Sequence, residues 1–332
     1  MLEVIHVGLG AIGRSTVSAL LDRPQVAKLC AVVDSNPELH GRDLAAVLNR
    51  PTPTRIPIVA TIAAARQLDG QATVAIMTTG SRIPDVRGTL EQLADAGLHV
   101  VSSCEEMAFP TLRYPAEAAQ LDRYAKSKKV AFLGTGVNPG FAMDAFALTV
   151  SAAVSRVKSI RCVRSLDARH RRYQLQKKVA AGMTLEAFKE GVAAKKIGHV
   201  GCAESAALLA AGLGWKLDHV DERFAPVIAE TPIASEHFQI AAGQIRGMRM
   251  TAVGTAAGRT VIELDLTMAF DAPTFDLIQI DAERRIEVKV TTGFPGDTAT
   301  VAMMINCASA MHRLEPGMRT MLDVMPVHAV GT

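Results

Sequence analysis

The chain has 332 residues, 49% of them hydrophobic, and a formal net charge of +3. That length suggests about two domains, and the near-neutral balance with scattered Lys and Arg gives no electrostatic case for nucleic acid. No apolar run approaches the roughly 20 residues of a membrane span, the N-terminus lacks a signal-peptide layout, and five scattered cysteines without C-x-x-C or metal-ligand spacing read as reduced thiols of a cytoplasmic protein with no metal site.

The first predicted element is a strand, Leu2 to Val7, running directly into Gly8-Leu9-Gly10-Ala11-Ile12-Gly13 and a helical pattern from Arg14 to Leu21. A second apolar run, Leu29 to Val33, ends in Asp34. This is a dinucleotide fingerprint in its proper context. The first glycine makes the turn, the second admits a pyrophosphate, the third lets helix and strand pack, and the helix N-terminus faces the phosphates. Asp34 falls about 20 residues beyond the last glycine, where an acid holds the adenosine ribose. The sequence therefore predicts a bound nicotinamide cofactor. Asp34 favours NAD(H), because its charge repels a 2′-phosphate. Arg14, just past the third glycine, would soften that preference and allow some use of NADP(H).

Strands and helices continue to alternate to about residue 140. Val74–Met77 is a short continuous apolar run, as expected of a parallel strand buried on both faces, and Leu98–Val101 and Val130–Leu133 read as further strands. Val86–Ala96 and Pro115–Lys128 have helical periodicity. The result is a doubly wound Rossmann domain over 1–140. Ligands of such sheets bind at the C-terminal ends of the strands, so the loops there are the candidate site. Thr78, Thr79 and Gly80 would place hydroxyls and backbone near the cofactor, or cap the following helix with help from Ser81 and Asp85. Ser103-Cys104-Glu105-Glu106 follows directly on a buried strand. On an extended chain Glu105 and Glu106 would point to opposite sides, leaving at most one to face a substrate. A carboxylate in a partly apolar pocket, here with Met107 and Phe109 near, trades protons near neutrality; the alternative is a solvated helix start. Asn138, in Gly134–Phe141, offers both donor and acceptor to a ligand.

Beyond residue 155 the pattern changes. Thr184 is placed to cap a helix, Ala203–Ala211 reads as another, and from about 235 apolar and polar residues alternate: Ile262, Leu264, Leu266 and Met268 against Val261, Glu263, Asp265 and Thr267. A mostly antiparallel sheet with one wet face fits best. The second domain is thus α+β, spanning 141–296, with substrate-binding and dimerisation roles. A last helical segment within 297–332, capped by Asp297, is expected either to return to the first domain or to close the second. The charged stretch Arg161, Arg164, Asp167, Arg169, His170, Arg171, Arg172 would be a solvated strand edge or an interface ion-pair network, or a reader of a substrate carboxylate or an NADP phosphate. His199 is either a proton-transfer group or a structural histidine.

Several of these segments carry a resemblance. Ser103-Cys104-Glu105-Glu106, Gly134–Asp144, Gly198-His199-Val200-Gly201 with Glu204-Ser205, and Pro316–Met321 together resemble 2,4-diaminopentanoate dehydrogenase and the native NAD(P)H-dependent amine dehydrogenases. The N-terminal half is similar to dihydrodipicolinate reductase and homoserine dehydrogenase. The resemblance implies reversible oxidation of a small amine to a ketone or aldehyde plus ammonia. It implies one glutamate, Glu105 or Glu106, beside the nicotinamide, and a homodimer. Phe141, Met143 and Met183 are candidate apolar walls, with His199 alongside. Dihydrodipicolinate reductase fits less well, because Arg169–Arg172 lacks that family's paired histidines and lysine. No lysine follows the strand ending at Ser103, where homoserine dehydrogenases carry one. An imine or carbonyl reductase remains the second reading, and a non-catalytic nucleotide-binding sensor the third.

Overall fold

The computed structural model describes residues 2–51, 54–68, 70–169, 171–194 and 196–324. His170 lies outside them. The chain forms two compact units, Met1–Phe141 with Pro295–Thr332, and Ala142–Phe294.

The first unit begins with β1 (Leu2–Val7), α1 (Ala11–Asp22), β2 (Ala27–Val33), α2 (Leu44–Val47), β3 (Ile58–Val59) and α3 (Ile62–Leu68). It continues with β4 (Val74–Met77), α4 (Ile83–Asp95), β5 (His99–Ser102), α5 (Pro115–Ser127) and β6 (Ala131–Gly134). The second unit holds α6 (Ala145–Ser151), β7 (Ser159–Asp167), α7 (Tyr173–Lys178), α8 (Leu185–Ala193) and α9 (Cys202–Gly212). Its remaining strands are β8 (His219–Ile228), β9 (Ile233–Ala234), β10 (Gln239–Ile240), β11 (Ile245–Ala256), β12 (Arg259–Ala269), β13 (Phe275–Asp281) and β14 (Ile286–Val290). The chain then returns to the first unit with α10 (Gly296–Ala308) and β15 (Gly317–Arg319).

The first unit is a seven-stranded sheet in the order β15-β6-β5-β4-β1-β2-β3. Every pairing in it is parallel. The order reverses between β1 and β4, the switch point of a Rossmann sheet. Ile5, Val7, Ala75, Met77, Val100 and Phe132 face one way into the main core, with Val86, Leu90 and Leu93 of α4 and Leu121 of α5. Burial on both faces explains why β4 and β6 are continuous apolar runs rather than alternating ones. On the other side α10 packs against α1, β4 and β5. It starts at Gly296, one position before the expected cap. Asp297 sits in the first turn, where its charge still favours the helix dipole.

The second unit is built on a six-stranded sheet, β14-β13-β7-β12-β11-β8. Only β7 and β12 pair in parallel; the rest is antiparallel. The helix α9 covers β8, β11 and β12. Ile262, Leu264, Leu266 and Met268 are buried; on the opposite face Glu263 is exposed and Thr267 half-buried, but Val261 and Asp265 are buried as well, Asp265 paired with Arg249 of the neighbouring strand. Thr184 caps α8 through the amide of Ala187.

Candidate active site

The parallel register brings the strand exits into one row. Val7 is level with Val33 and Met77, Met77 with Ser102, and Ser102 with Gly134. One residue further, the backbone still holds the row together. Gly8 N–H donates to Val33 O at 2.8 Å, Thr78 N–H to Val7 O at 2.8 Å, Ser103 N–H to Met77 O at 3.1 Å and Thr135 N–H to Ser102 O at 2.9 Å. Gly8, Asp34, Thr78, Ser103 and Thr135 therefore leave the sheet side by side.

The glycine turn fits a pyrophosphate. Gly8 has φ +96°, a conformation that side chains resist. A Cβ on Gly13 would collide with the carbonyl oxygen of Gly8, whereas a Cβ on Gly10 would meet nothing within 4 Å. The packing thus demands glycine at 8 and 13 and leaves open space at 10, where an anion would approach. Gly10 is also the N-cap of α1, which has no side-chain cap and no acid in its first turn, so Ala11 and Ile12 present their amides uncompensated. Asp34 Oδ2 accepts from Leu9 N–H at 2.6 Å and Oδ1 from Asn36 N–H at 2.8 Å. The carboxylate is fixed against the glycine turn. Arg14 donates instead to Val47 O at 2.8 Å. These residues fit the adenosine and pyrophosphate of a dinucleotide.

Thr78 has a more specific place than a loop residue near a ligand. Its hydroxyl donates to Gly8 O at 2.9 Å. Gly80 follows in the loop before α4. Neither Ser81 nor Asp85 caps α4; its N-cap is Arg82, with no side-chain cap bond. The cap comes from further along the chain.

Residues Glu105–Ala108 form a 3-10 turn rather than extended chain. Its two glutamates differ sharply. Glu106 is 4% exposed, and its Oε2 accepts from Ile83 N–H, the first amide of α4, at 2.9 Å. Burial, and next the charge of Glu106, push the Tyr114 phenol above its ordinary range. Burial pushes the Glu106 carboxyl above its ordinary range, while the Ile83 amide and the guanidiniums of Arg113 and Arg82 pull it back. Glu105 is half-buried at the mouth of β5, beside the half-buried Ser103. Gly134 lets Met107 of this turn lie against the end of β6; a Cβ there would strike the Met107 backbone. Asn138, in a cis bond to Pro139, is half-buried in the loop after β6. That loop is tied to α10, where Val137 N–H donates to Thr300 Oγ1 at 3.2 Å.

Phe141 ends the first unit and is half-buried. Met143, Met183 and His199 belong to the second, where Met143 is 1% exposed and the other two are half-buried. The arginine-rich stretch is internally paired. Arg164 is 3% exposed, and its Nη1 lies 2.6 and 2.8 Å from the two oxygens of Asp276. Its Nη2 donates to Phe294 O at 2.8 Å, and Phe294 N–H returns to Asp276 Oδ2 at 2.7 Å. Arg161 bonds Gln279, and Arg169 pairs with Asp271. Among the described residues no cluster of three or more His, Cys, Asp or Glu is arranged to hold a metal, and no helix is long and apolar enough to cross a membrane.

Residues 141–331 match the model of the 2,4-diaminopentanoate dehydrogenase C-terminal domain. The chain belongs to this family. A curated 2,4-diaminopentanoate dehydrogenase from Acetoanaerobium sticklandii is 27% identical over 99% of this chain and 95% of its own length. The solved amine dehydrogenase of Mycobacterium smegmatis shares the fold with a TM-score of 0.84 at 21% identity, covering 97% of this chain and 95% of that one. The GenD2 protein of gentamicin A biosynthesis, solved in complex with NAD, superposes with a TM-score of 0.56 at 15% identity over 97% of this chain and 89% of that one. Family membership makes this chain a nicotinamide-dependent oxidoreductase of the amine dehydrogenase class, acting on CH–NH2.

Sequence reasoning missed two residues that adjoin the groups of this site. His6, two residues before the glycine turn, is a polar residue inside an apolar strand, and that is the signal that marks it. Tyr114 carries no such signal, because its link to Glu106 depends on how the chain after the 3-10 turn folds back.

Proposed function

We propose that the protein catalyses the reversible oxidative deamination of a small apolar amine, giving a ketone or aldehyde and ammonia, with Glu105 as the proton-transfer group. The observation carrying this is the contrast within the 3-10 turn. Glu106 is tied to the start of α4, whereas Glu105 stands half-buried just past the end of β5, whose exit lies in the row that holds the glycine turn.

Gly8, Gly10, Ala11, Ile12, Gly13 and Asp34 would hold the dinucleotide, with Ser103 and Asn138 toward its nicotinamide end. When bound, the nicotinamide supplies the acceptor or donor of hydride. Glu105 first takes a proton from the substrate ammonium, since only a free amine carbon can release hydride. It passes that proton on to solvent and, a carboxylate again, stands as a negative charge beside the iminium of the substrate. Finally it takes a proton from the water that adds to the iminium carbon. The balance is one substrate ammonium, one water and one oxidised cofactor giving one carbonyl, one ammonium, the reduced cofactor and one proton. Asp34, fixed beside Leu9, sets a preference for NAD(H), with NADP(H) used less well. The protein acts in the cytoplasm as a homodimer, with the wet face of its second sheet as the contact; light scattering at micromolar concentration would return the mass of a dimer.

The test compares two substitutions. Glu105→Gln lowers kcat by about 10²- to 10⁴-fold, the usual scale for a lost proton-transfer group, and leaves NADH binding intact. Glu106→Gln keeps turnover within about tenfold, because its amide oxygen still accepts from Ile83 N–H. The reverse pattern would move the role to Glu106. No effect from either, with cofactor bound, would favour the nucleotide-binding sensor.

A further inference from the structure

His6 is completely buried in β1, directly beneath the glycine turn. Its Nε2 lies 2.9 Å from Gly8 O and 3.3 Å from Thr78 Oγ1. Thr78 Oγ1 in turn lies 2.9 Å from Gly8 O. The Gly8 carbonyl can accept two hydrogen bonds, and this geometry fills both places when Nε2 carries the ring proton. The other nitrogen, Nδ1, is then a buried acceptor, and it has no hydrogen-bond partner. Burial, opposed by the Gly8 bond and the charge of Asp34, lowers the pKa to about 4, so the ring is neutral at physiological pH.

A histidine is a costly residue for this position. Its buried Nδ1 is left unsatisfied, and Gly8 O would keep a partner in the Thr78 hydroxyl without it. A leucine would fill the same apolar space with no orphaned atom. Packing alone therefore does not account for His6. The second donor does have an effect on the turn. The Gly8–Leu9 peptide is held at its N–H by Asp34 Oδ2 and at its carbonyl by the Thr78 hydroxyl, and His6 Nε2 adds a third hydrogen bond that fixes the carbonyl end from a second side. The plane of that peptide aims the Leu9 and Gly10 segment, and Gly8 sits at φ +96°, where a glycine backbone has wide freedom.

We propose that His6 is a positioning residue for the cofactor: with Thr78 it fixes the Gly8 peptide so that the glycine turn is preorganised for a dinucleotide pyrophosphate. The proposal rests on the reading of that turn as the cofactor site. It requires that the histidine lower the cost of binding rather than raise the stability of the fold.

Binding of NADH to the full-length protein, followed by calorimetry, tests it beside thermal melting of the same samples. His6→Leu raises the Kd for NADH by about five- to tenfold, the scale of one neutral hydrogen bond. Its Tm stays at or above that of wild type, and kcat at saturating cofactor changes less than twofold. His6→Gln, whose amide reaches the Nε2 position, restores Kd to within about twofold of wild type. A His6→Leu protein that melts lower and binds NADH as wild type would show a merely structural role and overturn the proposal. So would a His6→Gln protein as weak in binding as His6→Leu. Absence of NADH binding by wild type would overturn the cofactor reading itself, and the proposal with it.

Discussion

The Arg164–Asp276 pair decides whether the arginine-rich stretch holds the second unit together or reads a substrate carboxylate. Both side chains are nearly sealed from water, and both brace Phe294, the last residue of the unit: Arg164 takes its carbonyl and Asp276 its amide. Replacing Asp276 with Leu leaves a buried guanidinium with one carbonyl for a partner. The expected cost is about 3–5 kcal/mol. At roughly 2–4 °C per kcal/mol for a unit of this size, the melting transition falls by about 6–20 °C. Arg164→Met has a comparable effect, because Asp276 is then a buried carboxylate with only Phe294 N–H. The double variant removes both charges and leaves only the two neutral backbone groups of Phe294 unsatisfied, so it is less destabilised than the sum of the singles, with a coupling of at least about 2 kcal/mol. Urea unfolding followed by circular dichroism at neutral pH measures all four corners. Because the pair is dry, the coupling should persist in roughly 0.5 M salt, unlike that of a surface pair. Singles that unfold within about 1 kcal/mol of wild type while raising the KM of a carboxylate-bearing amine would refute the structural assignment.

Two further predictions concern the first unit. Because His6 titrates near 4 when folded and near its ordinary 6.5 when unfolded, the unfolded chain binds the extra proton between those values. Its contribution to stability is whole above pH 6.5 and is lost on acidification through that window, about 2 kcal/mol by pH 5. Urea unfolding at pH 7 and pH 5 should show this loss in wild type and a smaller one, by that amount, in His6→Leu; equal losses would contradict it. The glycines separate in the same way. Gly10→Ala should melt as wild type yet bind NADH at least about tenfold more weakly, whereas Gly13→Ala, which drives a methyl into the Gly8 carbonyl, should lower Tm before cofactor is added.

Much of the first unit was legible because its signals are local. Strands buried on both faces read as apolar runs, and a glycine turn set between a strand and a helix is the shape that admits a pyrophosphate. The second sheet was legible as alternation, but alternation has period two in either strand direction, so the parallel pairing of β7 with β12 left no trace in the sequence. Glu105 and Glu106 show the same limit at the site. Reasoning from an extended chain foresaw that the two would differ, yet the chain there is a 3-10 turn, and what distinguishes them is the amide of Ile83, 23 residues before Glu106. Ser81 and Asp85 looked like the cap of α4 because they are adjacent to it; the actual acceptor, Glu106, arrives from the next strand's exit. Arg164 and Asp276 are 112 residues apart in the chain, and nothing in either neighbourhood announces the other.

The central claim is most directly tested by following NADH oxidation at the reduced-nicotinamide absorbance band, with purified protein and a panel of small apolar ketones and aldehydes at alkaline pH, each with and without ammonium. An amine dehydrogenase oxidises NADH only where ammonium and carbonyl are both present, and releases ammonia and a carbonyl from the corresponding amine when run with NAD+. Oxidation at the same rate without ammonium would contradict the account and identify a carbonyl reductase.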